Sequence, residues 1–496
     1  MDVDRNSYSQ IFKSVALFGG TKFFQIIVGV IKNKCVAMFL GPVGMGIVGL
    51  ITSGLQMIKS LTNFGLDTSS IREISRSYSS GDEQRAMRTV AIFRKLVILT
   101  GLLGAVIVFF LSEYLSELSF GNSDYSLAFK IVSVTLFFDQ LCVGQTALMQ
   151  GTFHYNLMAR SALVGSVLGG VLSVPLYYLW KEDAIVPVIV FSSLTSLYLS
   201  WHYSRKINIS KTKVSFKEAL SEGKPMLYLG LAIALAGIAR VGKVYGLRVF
   251  ISNFGSIAEV GLYTSAMTIS IQYVDVILAS MGSDYSPRLS AISDNSTLFV
   301  EAINKQIRVI CSLLVPIVTL FIVFVHELLL VLYSREFLSI IGMIEWMMFA
   351  MLFRAVSWCL SFPLVSLGNP KLYFWNEISS ELYSVGFSFL GYLLYGFNGL
   401  GVAFFLTQVC FFLQMMVVSG KFYSFRLTKD NFRILLLLGS LQLLLFVAIK
   451  CFCFTVWRYI VGVAILLIVC GISLHLLKSM VPVGMLVRKL LNIKGS

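Results

Sequence analysis

Apolar runs long enough to cross the ~30 Å hydrocarbon core of a bilayer recur along the whole chain. They fall at about 11–31, 45–66, 91–112, 128–150, 160–180, 184–203, 226–250, 259–282, 306–326, 337–365, 373–395, 399–420, 432–450 and 457–477. That makes about 14 spans of about 22 residues each, joined by short loops. The runs are continuously apolar, with no period-two alternation, so they predict helices and not barrel strands. Composition points the same way. Of 496 residues 57% are hydrophobic and only 13% charged, against about 25% charged in a soluble chain. Too few charges remain to coat a soluble particle of this size. The low charge and the abundance of Phe and Leu also exclude disorder, collagen and coiled coil. The fold class expected is therefore an all-α integral membrane protein. The start, Met1 to Ser9, is polar with both signs of charge, and no small-residue cleavage site follows the first run. That run reads as a retained helix, not a signal peptide.

The net charge of +15 would suggest nucleic acid in a soluble protein. In a membrane protein basic residues collect in cytoplasmic loops instead. With Met1 inside, about 27 of the 40 lysines and arginines fall in inner segments and about 7 in outer ones. The bias puts both termini in the cytoplasm and explains the charge without nucleic acid. No outer loop exceeds about 15 residues. The largest inner loops, about 67–90, 204–225 and 283–305, leave no room for a folded extramembrane domain. Function must reside in the helices.

An internal repeat is visible. Val48-Gly-Leu-Ile-Thr-Ser53 returns as Val260-Gly-Leu-Tyr-Thr-Ser265, with Lys34 and Gly41 matching Arg248 and Gly255 upstream. Both copies sit at an outer turn, and the first helix of each half enters from the same side, so the repeat is parallel. It divides the chain into a six-helix bundle over 1–225, a second over 226–430, and two further helices with a cytoplasmic tail over 431–496. Such repeats are a common build of secondary transporters.

A charge at mid-membrane needs a partner, a wet cavity or an escape to the interface. Six cations lie inside the spans: Lys22, Lys59, Lys130, Arg240, Lys243 and Arg354. Lys22 sits near mid-depth with Gln25 on the same face, and Arg240 and Lys243 share a face three residues apart. Lys22, Arg240, Lys243, Arg354 and Lys59 are the candidates for a positive, anion-binding chamber; Lys130 reads as snorkelling outward. The alternative for each is an ion pair. Arg354 and Glu381 flank the turn Gly368-Asn369-Pro370 at matching depths of roughly 20 Å, which makes them a candidate pair. Asp139, Asp275, Glu377 and Glu381 are the carboxylates that could exchange a coupling proton or cation, or bridge to those cations. The histidines (154, 202, 326, 475) are isolated near span ends. The eight cysteines are scattered and read as inert, with Cys451-x-Cys453 too weak a metal signal. No nucleotide-binding loop and no zinc-protease pattern is present, so neither ATP hydrolysis nor metal-dependent catalysis is expected, and no cofactor.

The stretch Phe18-Gly-Gly-Thr-Lys22, Phe39-Leu-Gly-Pro-Val-Gly-Met-Gly-Ile-Val-Gly-Leu50 and Asn63-Phe-Gly-Leu-Asp67 resembles the Wzx-type O-antigen translocases. These belong to the multidrug/oligosaccharidyl-lipid/polysaccharide exporter superfamily. The match is good over about 14–80 and holds in helix layout to about 420, but the last two helices carry no matching motif. The resemblance implies a V-shaped, two-bundle flippase in a bacterial inner membrane. Its cargo would be an undecaprenyl-diphosphate-linked oligosaccharide, moved from the cytoplasmic to the periplasmic leaflet. H+ or Na+ would be a coupling ion, with a polysaccharide polymerase and a chain-length regulator as partners. A diphosphate held by Lys or Arg in a low-dielectric cavity fits that cargo. The competing classes are a drug/cation antiporter of the same superfamily, a membrane-embedded polysaccharide polymerase or ligase, and a lipid scramblase. The first would present acids to its cargo, the second needs a sizeable outer loop, and the third needs no coupling carboxylate.

Overall fold

The structure, a computed structural model, describes the backbone except at residues 1, 80–81, 208–211, 213, 273, 276, 279–280, 283–284, 286–288, 290–291, 293–294, 367–369, 452–455 and 481–496. Residues 2–23, 83, 225, 229, 232–233, 236, 365–366, 370 and 479–480 are described by backbone alone. The regular elements among the described residues are all helical. Eight helices there are long and apolar enough to cross a membrane, or nine if one bent pair is a single span. The chain is a multi-pass, all-α membrane protein. It divides into two compact units, Met1–Ser265 with Val331–Phe337, and Ala266–Leu330 with Leu338–Ser496.

The first unit begins with α1 (Asp2–Thr62). A straight helix of that length would reach about 90 Å, three times the hydrocarbon thickness. Helix direction breaks at Gly41 (φ 61°, ψ −164°), with Pro42 next. Glycine tolerates the left-handed φ, and proline removes the donor that would carry the helix onward. The break lies later than the loop expected from 32 onward, so Lys32 and Lys34 are helical residues. Then follow α2 (Leu66–Ser79), α3 (Glu83–Phe110), α4 (Ser112–Phe120), α5 (Ser126–Gly151), α6 (Tyr155–Trp180) and α7 (Ile185–Ser204). The short α8 (Phe216–Glu222) opens on a capping box between Ser215 and Glu218, which satisfies two end donors. It is followed by α9 (Lys224–Phe254) and α10 (Ile257–Met267). The sequence boundary at 225/226 falls ahead of α9, which packs on α1 and α2 inside this unit.

The amphipathic α2 lays Leu66 and Ile74 onto Phe93, Leu96 and Val97 of α3 and Leu148 and Met149 of α5. Arg88 donates to Glu222 at 2.8 Å and ties α3 to α8. The Arg88 guanidinium holds the exposed Glu222 carboxyl below the usual carboxylate range. The repeated segments cross each other: a Cβ at Gly46 would stand 2.0 Å from the Ile257 carbonyl, and one at Gly261 1.9 Å from the Pro42 carbonyl. Only glycine permits backbones to approach so closely, and close approach is what packs helices in lipid.

In the second unit α10 runs into a π-helical turn, Thr268–Gln272. It is followed by α11 (Ser296–Val323), α12 (Val325–Leu332), α13 (Ile341–Phe349), α14 (Met351–Ser366), α15 (Pro370–Tyr423), α16 (Lys429–Cys451) and α17 (Val456–Met480). The single span expected over 337–365 is bent by 43° between 335–349 and 351–364. Conversely, α15 joins two expected spans and breaks at Tyr395–Gly396, where the sequence places their turn.

The two last helices are clasped at both ends. Glu345 on α13, only 3% exposed, accepts from Lys450 of α16 at 2.6 Å and Arg458 of α17 at 3.2 Å. At the other end Asn431 of α16 donates to the Asn304 carbonyl at 2.8 Å and accepts from Arg308 at 2.9 Å. Removing one member of a buried ion network strands the others. Glu345→Ala should therefore lower unfolding stability by roughly 3–5 kcal/mol, read as a fall in the thermal midpoint of the purified protein in detergent. Gln at the same position should recover part of it by accepting one hydrogen bond.

Candidate functional site

Helices α1, α5, α6 and α7 of the first unit enclose a cavity of about 400 Å³. Sequence pattern makes the space. On α6 the rows Ser161, Gly165, Gly169 and Ala162, Ser166, Gly170 repeat every fourth residue, so two adjacent stripes present nothing larger than a hydroxymethyl group. On α1, Gln25, Gly29 and Lys32 recur at i, i+4 and i+7 and face that stripe. Helix α5 contributes Thr146 and Cys142, and α7 contributes Ser192 and Ser196. Lys32 is the one charged residue of the lining among the described residues. It is partly buried and makes no hydrogen bond or ion pair among the described residues.

One turn before Cys142 on α5 stands Asp139. Ser193 of α7 donates to its Oδ1 at 2.5 Å, and the Lys59 ammonium of α1 lies 3.7 Å from its Oδ2. The pair is loose and partly open, the side chains being 24% and 41% exposed. Next to it Gln140 donates to Asn63 at 2.7 Å and Thr100 at 3.0 Å. These two hydrogen bonds satisfy an amide that burial would otherwise penalise.

Two further cations of this unit are answered by backbone. Arg248 donates to the Gly49 carbonyl at 2.9 Å, and Lys34 to the Tyr333 carbonyl. They are the matched residues of the repeat. Lys22 lies on the α1 helix, but its side chain is outside the described residues. Arg240 on α9 is exposed and has no partner among the described residues, whereas Lys243, three residues on, is partly buried and partnered.

In the second unit Arg354 of α14 pairs with Asp275. Its acid is thus Asp275 and not Glu381, the residue matched to it in depth; the turn used for that match, 367–369, lies outside the described residues. Glu377 and Glu381 are partly buried on α15. They stand near Tyr383, which donates to Gln414 at 3.1 Å; Gln414 donates to Asn376 at 2.6 Å and to Ser379 at 2.9 Å. A second cavity, about 420 Å³, is apolar and walled by Phe349, Phe353, Phe412, Leu436 and Leu443. No cluster of His, Cys, Asp or Glu suited to a metal ion occurs among the described residues.

Sequence reasoning missed Lys32, because it ended the first span at 31. The readable signal was the small-residue double stripe on α6 together with a polar face Gln25/Lys32 on a helix free to run on to the Gly41-Pro42 break.

A family model described as "Polysaccharide biosynthesis protein" matches residues 35–342. The lipid III flippases of Escherichia coli (strain K12) and Shigella flexneri are each 20% identical over 390 residues, spanning 77% of this chain and 92% of theirs. Among solved structures, the lipid II flippase MurJ in an inward closed conformation superposes with a TM-score of 0.72 at 15% identity, over 92% of this chain and 98% of that one. An inward-facing multidrug resistance transporter of the MATE family gives 0.67 at 15% identity, over 81% and 94%. At such identity the structural likeness shows the fold.

The pairing in the second unit is testable by a double-mutant cycle. Arg354→Leu and Asp275→Leu should each cost roughly 1–3 kcal/mol, reduced by their partial exposure. The double variant should cost less than the sum of the two, because neither charge is stranded. Thermal midpoints of the four proteins in detergent check the sign of the coupling.

Proposed function

The chain belongs to the polysaccharide biosynthesis protein family, and from that premise we propose that it is a flippase for a lipid-linked glycan. The cargo is an undecaprenyl-diphosphate-linked oligosaccharide of the O-antigen repeat-unit type, carried from the cytoplasmic to the periplasmic leaflet of a bacterial inner membrane by alternating access. The observation that supports this most is the first-unit cavity, where Lys32 faces hydroxyl and amide groups within helices that are otherwise apolar. A partly buried lysine with no partner among the described residues is costly in a membrane span unless the partner comes with the cargo. Its sign favours an anionic cargo over a cationic drug, which separates this reading from the drug antiporter.

Alternating access requires a cargo that binds the inward and outward states differently. Lys32, together with Lys22, Arg240 and Lys243, supplies positive charge to the diphosphate and the first sugar. Lys59 and Arg354 are held by Asp139 and Asp275, and reach the cargo only by exchanging partner. Asp139 is the coupling carboxylate in this reading, because its bridge to Lys59 is long and partly open. A proton or Na+ on Asp139 weakens its hold on Lys59. Glu377 and Glu381 form a second acidic position on the other unit. Both termini are cytoplasmic, and a polymerase and a chain-length regulator receive the exported unit. The chain acts as a transporter and not as an enzyme.

Reconstituted vesicles carrying a fluorescent undecaprenyl-diphosphate-linked oligosaccharide test the reading, with leaflet position followed by a membrane-impermeant quencher. Wild-type protein should accelerate crossing well above protein-free vesicles; no acceleration overturns the proposal. Loss of a charge-assisted contact worth about 1.5–3 kcal/mol corresponds to roughly ten- to hundredfold. Lys32→Gln and Lys22→Ala should each slow crossing by about that factor at equal protein density. Asp139→Asn should retain crossing but lose its response to an imposed pH gradient.

A further inference from the structure

We infer that the first-unit cavity is a binding site for a single sugar residue that carries one negative charge, as a sugar phosphate or a uronic acid does. Its role in transport rests on the flippase reading; the binding itself does not. Four observations carry it.

Size comes first. At about 400 Å³ the cavity lies near the lower end of ligand-sized pockets. It has room for one sugar residue with its charged group, and not for a whole oligosaccharide. Charge comes second: among the described residues of the lining the charged group is the Lys32 ammonium, so an anionic group on the ligand is matched.

The direction of the hydrogen bonds is the third observation, and it selects the ligand class. Thr146 donates its hydroxyl proton to the Cys142 carbonyl at 2.9 Å, Ser166 to Ala162 at 2.8 Å and Ser196 to Ser192 at 2.9 Å. A hydroxyl has only one proton to give. These three oxygens therefore present lone pairs to the cavity, while Lys32, the Gln25 amide and the Ser161 and Ser192 hydroxyls can donate. A bare phosphate or sulfate leaves the three committed oxygens without a donor. A sugar ring supplies the missing donors through its hydroxyl groups and leaves its anionic group for Lys32. Finally, no aromatic side chain is among the described lining residues, so a nucleobase or a flat drug finds no stacking platform in them.

The glycines give a clean way to close the site. At Gly29 and Gly169 an added Cβ meets nothing within 4 Å, so a larger side chain there enters the cavity without striking backbone. The test uses the purified full chain in nanodiscs. Equilibrium titration compares glucose, galactose and mannose, their 1-phosphates, their uronic acids, and inorganic phosphate. At least one charged sugar should bind tenfold or more tightly than both its neutral parent and inorganic phosphate. The 1-phosphate and uronate arms tell whether the lipid-proximal sugar or an acidic sugar of the repeat unit is the natural occupant. Lys32→Gln should shrink the preference for charged over neutral sugar about tenfold. Gly169→Leu, and independently Gly29→Leu, should abolish binding with an unchanged thermal midpoint.

Inorganic phosphate binding as tightly as every sugar phosphate would reduce the site to an anion site and overturn the inference. So would the absence of sugar binding to the wild type, or undiminished binding in both filled variants. The flippase reading fails separately. If charged sugars bind but wild-type vesicles move no lipid-linked glycan, the pocket stands and the flippase falls. If the filled variants lose sugar binding yet transport at the wild-type rate, the pocket lies off the transport path and the flippase stands.

Discussion

A charged side chain inside hydrocarbon must be answered by something, and the answers organise this molecule. Three kinds occur. Opposite charge answers Arg354 through Asp275, Lys59 through Asp139, and the pair Lys450 and Arg458 through Glu345. Backbone carbonyls answer Arg248 and Lys34. A cavity answers Lys32. The first two kinds fix helices to one another. The third leaves a position that only a ligand or water can complete, and this separates a binding group from a structural one.

Much of the fold was legible because hydrophobic length is a coarse and robust signal. The spans expected at 128–150, 160–180 and 432–450 sit inside α5, α6 and α16, and the one at 184–203 matches α7 to within a residue. Breaks were harder. The chain turns at Gly41-Pro42, ten residues beyond the expected end of the first span, which was set at 31 because Lys32 and Lys34 looked like a loop. A lysine every few residues marks a loop only if water surrounds it, and here one faces a cavity and the other a carbonyl. The partner of Arg354 was illegible for a related reason. Depth along two sequential helices can be counted at 1.5 Å per residue, but Asp275 belongs to a segment distant in sequence, and nothing local reports that packing. Which carboxylate meets which cation is a tertiary fact. That these residues would need partners was readable from their positions alone.

The last two helices show how the same physics serves anchoring. Lipid offers no hydrophobic drive between apolar helices, so attachment falls to packing and polar contacts. Helices α16 and α17 carry long apolar faces, with Leu436, Leu444, Leu467 and Leu474 exposed. Beside apolar packing through Leu438, Leu445, Ile465 and Val469, they are held to the second unit by the Glu345 network at one end and, for α16, the Asn304–Asn431–Arg308 network at the other. Both networks are multidentate and centre on buried groups, Glu345 with Arg458 and Asn304 with Asn431, the condition under which a polar contact in low dielectric resists exchange.

That contrast bears on which acid can work as a coupling group. Glu345 is almost fully buried beneath two cations, so protonating it would strand both. Asp139 is partly open, receives one strong hydrogen bond from Ser193, and faces a lysine 3.7 Å away. In the proposed cycle, neutralising it frees one ammonium, that of Lys59, against two at Glu345. A transport cycle needs a charge whose partner changes at small cost, and small cost goes with long, wet and singly bonded contacts. Asp139 also stands one helical turn from Cys142 on the cavity wall, so in the proposed cycle its charge changes close to the space that Lys32 faces. In that reading, occupancy of the space by an anion and neutralisation of Asp139 favour the same arrangement, and the two sites are linked through electrostatics.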